Sequence, residues 1–161
     1  MGSGKSTVGA LAARRLGWSH LDTDTCVERA TGRSVPEIFA VDGEPAFRSA
    51  ESDALRRALG EEPVVVSVGG GAVLDPKNRQ LIERGSTVVW LRAEVATLAG
   101  RIGAGEGRPL LEGRGADALA QLDRARRPLY EALADAVVDV DEKTPEEAAD
   151  AVVSALGTAA P

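Results

Sequence analysis

Hydrophobic positions along the chain fall into two alternating patterns. Val8, Leu11, Ala12 and Leu16 recur at helical spacing, and Gly17 closes the run. Residues 18–22 read as a short strand. Ser34-Val35-Pro36-Glu37 reads as a helix start, with a serine cap, proline in the first turn and an acid three residues on. Gly43 is expected to break that helix. Residues 44–59 then form a longer amphipathic stretch carrying Phe47, Ala50, Ala54, Leu55 and Ala58. The run Val64-Val65-Val66-Ser67-Val68 is nearly all apolar, as expected of a strand covered on both faces. Asp75-Pro76 opens a further helix that Gly85 ends. Residues 87–91 predict a strand, 93–102 a helix, 116–133 a helix and 136–140 a last strand. Thr144-Pro145-Glu146-Glu147 opens the final helix with a cap, proline and acids at the positive end of the helix dipole. Such alternation predicts an α/β domain with a mostly parallel sheet. No internal repeat or linker interrupts residues 1–161, which read as one domain. The segment 103–115 holds five glycines among polar residues and reads as a mobile loop.

Composition narrows the class. The chain has 161 residues, enough for one domain with a sizeable core. It is 43% hydrophobic and 27% charged, as ordinary globular proteins are, but only 3% aromatic, so Leu, Val and Ala must fill that core. A net charge of −6 argues against a nucleic-acid partner, which would want a basic face. The single cysteine, Cys26, excludes an internal disulfide and fits a reducing compartment. No apolar run reaches membrane-spanning length, and no secretory leader is evident. A cytoplasmic protein without membrane contact is the expectation.

Candidate chemistry begins at the amino end. Gly2-Ser3-Gly4-Lys5-Ser6-Thr7 matches most of the phosphate-binding pattern G-x-x-x-x-G-K-[ST]. Glycines let backbone N–H groups approach phosphate oxygens, and the following helix adds positive potential. Lys5 would reach the β- and γ-phosphates of a nucleotide, and the Ser6 hydroxyl would ligate Mg²⁺. A flexible Gly-Ser leader is the alternative, disfavoured because the motif runs directly into an amphipathic helix. Counting back, the pattern's first glycine and the strand that normally delivers it would lie ahead of Met1.

Further along, Asp22-Thr23-Asp24 follows a candidate strand. Residues two apart on a strand share a side, so two carboxylates could serve together, one near Mg²⁺ and one at a substrate hydroxyl. A helix cap is the alternative. Glu44 and Arg48 have the spacing of a surface ion pair, but Arg48 could also fork a substrate carboxylate. Gly69, Gly70 and Gly71 end the buried strand, either for close ligand approach or for a sharp turn. That strand lacks the aspartate of a Walker B motif, which leaves Asp22 as the metal partner. Arg108, within Arg108-Pro109-Leu110-Leu111, could close over a γ-phosphate, or be a solvated loop arginine. Arg124, Arg126 and Arg127 precede Pro128-Leu129-Tyr130 and could focus an anion or form a solvated face. His20 and Cys26 have no partner constellation and read as structural.

The ordered set of G-S-G-K-S-T, D-T-D, T-G-R-S-V-P-E-I-F, D-G-E-x-x-F-R, G-G-G-A-V, R-P-L-L and R-R-P-L-Y resembles the shikimate kinase family over nearly the whole chain. The resemblance implies ATP-dependent phosphorylation of the shikimate 3-hydroxyl, a step of chorismate and aromatic amino-acid biosynthesis. It implies a fold of the nucleoside monophosphate kinase type. That fold has a parallel sheet in the order 2-3-1-4-5 flanked by helices, with a lid here near 103–116. The first, central strand of that order would precede Met1. Losing about four buried apolar side chains at roughly 1.5–3 kcal/mol each would cost on the order of 6–12 kcal/mol, comparable to a whole domain's stability.

By the same resemblance, Lys5, Asp24 and Arg108 are catalytic, with Asp24 at the reacting hydroxyl. Arg48, Arg126, Gly69, Gly70 and Gly71 join Asp24 in holding shikimate, the assignment to Arg126 over Arg127 resting on the R-x-P-L-Y spacing. Gly2 to Thr7, Arg101, Arg108, Lys143 and Pro145 hold ATP, and Ser6 and Asp22 hold Mg²⁺. A monomer is implied. The alternatives are another small-metabolite kinase of this fold, such as a gluconate kinase, and an inactive, truncated nucleotide-binding remnant.

Overall fold

The computed structural model describes residues 2–102 and 115–158. Helix α1 (Lys5–Leu16) starts after Gly4 and ends at Gly17, both in the left-handed region at φ 82° and 70°. Glycine alone enters that region without a Cβ penalty. Strand β1 (Ser19–Asp22) leads straight into helix α2 (Thr23–Thr31), which Asp22 caps. Sequence periodicity did not foresee α2. Only Val27 and Thr23 are buried along it, so its apolar signal is thin, and the cap with tertiary contact decides it. The expected capping box at Ser34 and Glu37 starts α3 (Val35–Val41), and α4 (Gly43–Ala58) follows almost at once. Gly43, at φ 80°, stands at the expected break between the two helices.

Strand β2 (Val64–Ser67) is followed by a 3-10 turn (Ala72–Leu74), α5 (Pro76–Gly85), β3 (Val89–Arg92) and α6 (Val95–Ile102). The chain continues with α7 (Gly115–Leu133), β4 (Ala136–Asp139) and α8 (Pro145–Thr158). The expected lid segment falls almost wholly outside the described residues.

All strand pairing is parallel. β1 lies beside β2 from Ser19↔Val64 to Asp22↔Ser67, and β3 lies beside β4 from Val89↔Ala136 to Arg92↔Asp139. Among the described residues no strand joins the two pairs. Helices cover both faces, as the α/β alternation implied. The larger core cluster gathers Val8 and Ala12 of α1, Leu98 of α6, Val138 of β4, and Ala149 and Val152 of α8. Ala12 and Ala149 are fully buried, and such small side chains let α1 and α8 pack closely. A second cluster of Val27, Ile38, Phe47 and Ala54 ties α2, α3 and α4 together beside β1. Ser3, Lys5, Gly69 and Arg126 line one crevice by the carboxyl end of β2.

Candidate active site

The amino end of α1 meets the carboxyl ends of β1 and β2. Ser67, last in β2, donates its hydroxyl to the Lys5 carbonyl at 2.9 Å. His20 Nε2 lies 2.9 Å from the same hydroxyl. A hydroxyl has one proton, and Ser67 gives it to Lys5, so His20 must donate from Nε2. Burial holds the His20 pKa below its ordinary value, with Asp22 opposing. A Cβ at Gly9 would collide with this pair, so glycine there lets α1 sit against the strands. His20 thus braces the phosphate loop, a role the sequence offered no partner to suggest.

Asp22 does two things at once. Its Oδ1 accepts from the backbone N–H groups of Asp24 and Thr25 at 3.0 and 3.4 Å, while its Oδ2 accepts from Ser6 at 2.5 Å. The helix-cap reading holds, and the same carboxylate also meets the phosphate loop. The strand geometry expected for the pair does not, because Asp22 ends β1 and Asp24 already lies in α2. The two carboxylates come together through the helix start instead. Burial raises the Asp24 pKa, Lys5 draws it down, Asp22 raises it, and Arg48 draws it down, leaving it above the ordinary value.

Arg48 donates from Nη1 to Glu51 at 2.7 Å, and from Nε and Nη2 to Glu44 at 3.1 and 2.9 Å. Burial disfavours its charge, but Glu51 and Glu44 outweigh burial and raise its pKa. Glu51 is 1% exposed. Burial pushes its carboxyl up, and Arg48 pulls it back only part way. A Cβ at Gly71 would strike the Arg48 guanidinium, and one at Gly69 would strike Glu51 and lie 3.0 Å from Asp24 Oδ1. The triple glycine therefore admits the protein's own charged side chains. Gly69 N donates to Thr23 at 2.8 Å, and Tyr130 donates to the Gly70 carbonyl at 2.7 Å.

The arginine cluster divides. Arg127 pairs with Asp123 at 2.9 Å and lies over the Trp90 ring. Arg126 is 4% exposed, and its Nε has no hydrogen-bond partner among the described residues. Its charge acts on Glu51 and Tyr130, so it faces the crevice. Arg124 is exposed.

Arg101 donates to the Val140 carbonyl at 2.6 Å, beside the exposed Lys143 and Pro145. Its neighbour Ile102 packs on Gly2, which joins this patch to the glycine loop. Arg108 lies outside the described residues. Glu51, Tyr130, Thr23 and Ser67 were missed from sequence, whereas His20 was read as structural. A buried glutamate three residues after an arginine on a helix was the one available signal, and Glu44 at the opposite spacing masked it.

A family model described as SKI: Shikimate kinase matches residues 1–157. The chain is 47% identical over 156 residues to the shikimate kinase of Moorella thermoacetica, spanning 97% of this chain and 90% of that one. It is 44% identical over 158 residues to that of Thermobifida fusca, spanning 98% and 91%. Among solved structures it superposes on shikimate kinase from Acinetobacter baumannii in complex with shikimate with a TM-score of 0.95 and 31% identity, covering 98% and 89% of the two chains. For the Aquifex aeolicus enzyme the values are 0.85 and 34%, covering 98% and 92%.

Proposed function

The chain belongs to the shikimate kinase family, and from that premise we propose how its own residues move the ATP γ-phosphoryl group to the 3-hydroxyl of shikimate, giving shikimate 3-phosphate and ADP. The observation that carries the reading is the position of Asp24. Its half-buried carboxylate lies under the charges of both Lys5, in the phosphate loop, and Arg48, beside the triple glycine.

Phosphoryl transfer needs positioning and charge stabilisation more than covalent help. Gly2 to Thr7 hold the ATP phosphates, and Lys5 offsets their charge. Arg101, Lys143 and Pro145 flank the nucleotide base. Arg126, buried with an unpartnered Nε, and Arg48 hold the shikimate carboxylate. Arg48 is already engaged, so the incoming carboxylate replaces the half-exposed Glu44 rather than the buried Glu51. Asp24 orients the 3-hydroxyl and accepts its proton. The hydroxyl oxygen bonds to the γ-phosphorus, the bond from phosphorus to the β,γ-bridging oxygen breaks, and ADP leaves. Arg108 closes on the transferring group.

Ser6 and Asp22 present hard oxygens 2.5 Å apart at the loop. Mg²⁺ uses one or two such groups together with waters and phosphates, so these two fit it without a larger carboxylate cluster. Bound there, the ion would neutralise charge on the phosphate oxygens. No helix among the described residues is long and apolar enough to cross a membrane. A cytoplasmic monomer without a nucleic-acid partner completes the proposal, and light scattering checks the monomer.

A coupled ADP-release assay with shikimate and with gluconate tests the substrate. Turnover with shikimate alone is expected. Equal turnover with gluconate would move the assignment to the related sugar-acid kinases, and ATP binding without turnover would favour the inactive remnant. Arg48→Ala should raise KM for shikimate and leave that for ATP near normal; an effect mainly on ATP would reassign Arg48. Arg108→Ala should lower kcat by roughly 10²–10⁴, and an unchanged kcat would remove it from the mechanism.

A further inference from the structure

Tyr130 is the one tyrosine of the chain, and the reaction as proposed leaves it without a duty. It stands on α7 one turn after Arg126, so the two side chains share a face of that helix. Its ring is half-buried and lies tilted against Trp90 of β3, with centroids 5.8 Å apart. Its hydroxyl donates to the Gly70 carbonyl at 2.7 Å, across 60 positions of chain. Burial pushes the phenol pKa up, and the charge and hydrogen bond of Arg126 pull it back only part way, so the hydroxyl is a neutral donor at neutral pH. Gly70, Arg126 and Tyr130 line one cavity, and α7 packs on the 3-10 turn that follows the glycines.

Three glycines in a row are the freest backbone a chain can have, so their conformation has to be imposed by neighbours. Two side chains do so here. Thr23, fully buried at the start of α2, accepts from the Gly69 N–H at 2.8 Å. Tyr130 holds the Gly70 carbonyl from α7. The peptide between Gly70 and Gly71 is trans, so its carbonyl and its N–H point in opposite directions. Holding the Gly70 carbonyl toward Tyr130 therefore turns the Gly71 N–H away from it. Gly71 in turn stands against the Arg48 guanidinium. The hydroxyl thus links the two arginines assigned to the substrate carboxylate, directly to Arg126 and through Gly71 to Arg48. We propose that Tyr130 is a positioning residue for the acid end of the substrate: its hydroxyl pins the triple-glycine turn to α7 and so fixes the spacing between that turn and Arg126. The inference rests on the shikimate reading given above. Without the hydroxyl, the turn and Arg126 settle independently and the grip on the substrate carboxylate weakens. The phosphate loop, braced separately by Ser67 and His20, is left as it was.

Tyr130→Phe keeps the ring against Trp90 and removes only the hydroxyl. KM for shikimate should rise about five- to tenfold, the typical worth of one hydrogen bond, while kcat and KM for ATP stay within about twofold. A role in folding alone would lower the unfolding midpoint and leave both KM values unchanged, and that result would overturn the proposal. Equal rises in both KM values would overturn it as well. In an Arg126→Lys background the same change should add less than its own factor, because the spacing it sets has lost its purpose; full multiplication of the two effects would show that Tyr130 does not act with Arg126 and would sink the idea. A second readout needs no turnover. With one tyrosine in the chain, incorporated 3-fluorotyrosine gives a single ¹⁹F resonance. Shikimate alone should shift it, and ATP alone should leave it in place. A resonance that ignores shikimate while turnover persists would overturn the positioning role and spare the reaction. Absence of shikimate turnover in the unsubstituted protein would sink the reaction itself, and the positioning role with it.

Discussion

In the proposed mechanism Asp24 sets activity against stability. Burial raises its folded-state pKa above the ordinary carboxylate value. The folded protein then binds this proton more tightly than the unfolded chain. The corresponding stability is present in full below the unfolded pKa and is lost as pH rises through the folded pKa. At neutral pH the ionised Asp24 therefore weighs against folding. Asp24→Asn is expected to abolish most turnover, yet to raise the unfolding midpoint at pH 7 and leave it nearly unchanged near pH 3. A variant destabilised at pH 7 would show that the carboxylate holds the site together instead. Glu44 offers a second test. It occupies two donors of Arg48 and is half exposed. Glu44→Ala should lower KM for shikimate several-fold by removing a competitor, whereas a raised KM would make Glu44 a positioning group. The Arg126 and Arg127 neighbours differ for a reason visible only in three dimensions. One turns to Asp123 and Trp90, and the other into the crevice.

Among the elements, the junction of β1 and α2 has the most to do. Asp22 ends the strand, caps the helix and accepts from the phosphate loop. The two duties can be separated. Asp22→Ala removes both and should cost about 0.5–2 kcal/mol in stability along with Mg²⁺-dependent ATP binding. Asp22→Ser keeps a capping oxygen without the charge, so stability should largely return while the ATP effect remains. Recovery of both would leave the carboxylate with a capping role only. The α1 start is braced in the same manner by Ser67 and His20. Most helix starts were legible in the chain, because caps, prolines and glycines act over three or four residues. The α2 helix was not, because its two buried residues make too weak a stripe to read.

For the molecule as a whole, the crevice joins elements far apart in the chain. Tyr130 reaches Gly70 across 60 positions, and Ser67 reaches Lys5 across 62. A ligand held, as proposed for ATP, by the glycine loop, α6 and the turn before α8 would tie both strand pairs together. ATP at about 100 times its dissociation constant should add about 2.7 kcal/mol. For a chain of this size that is a rise of about 5–11 °C in the unfolding midpoint. A shift confined to one half by amide exchange would show that the two pairs unfold separately.

Local order decided much of this protein before any folding. The alternation of helices and strands, the glycine loop with Lys5 and Ser6, and the paired acids are short-range patterns, and short-range sterics and hydrogen bonding enforce them. The ordered motifs together pointed to the family. Tertiary structure decided the rest. It buried Glu51 against Arg48, put the triple glycine beside their charges, and turned Arg126 inward. It also set β2 and β3 on either side of a cavity. None of these can be read from spacing, because each depends on burial and on partners brought together from distant parts of the chain.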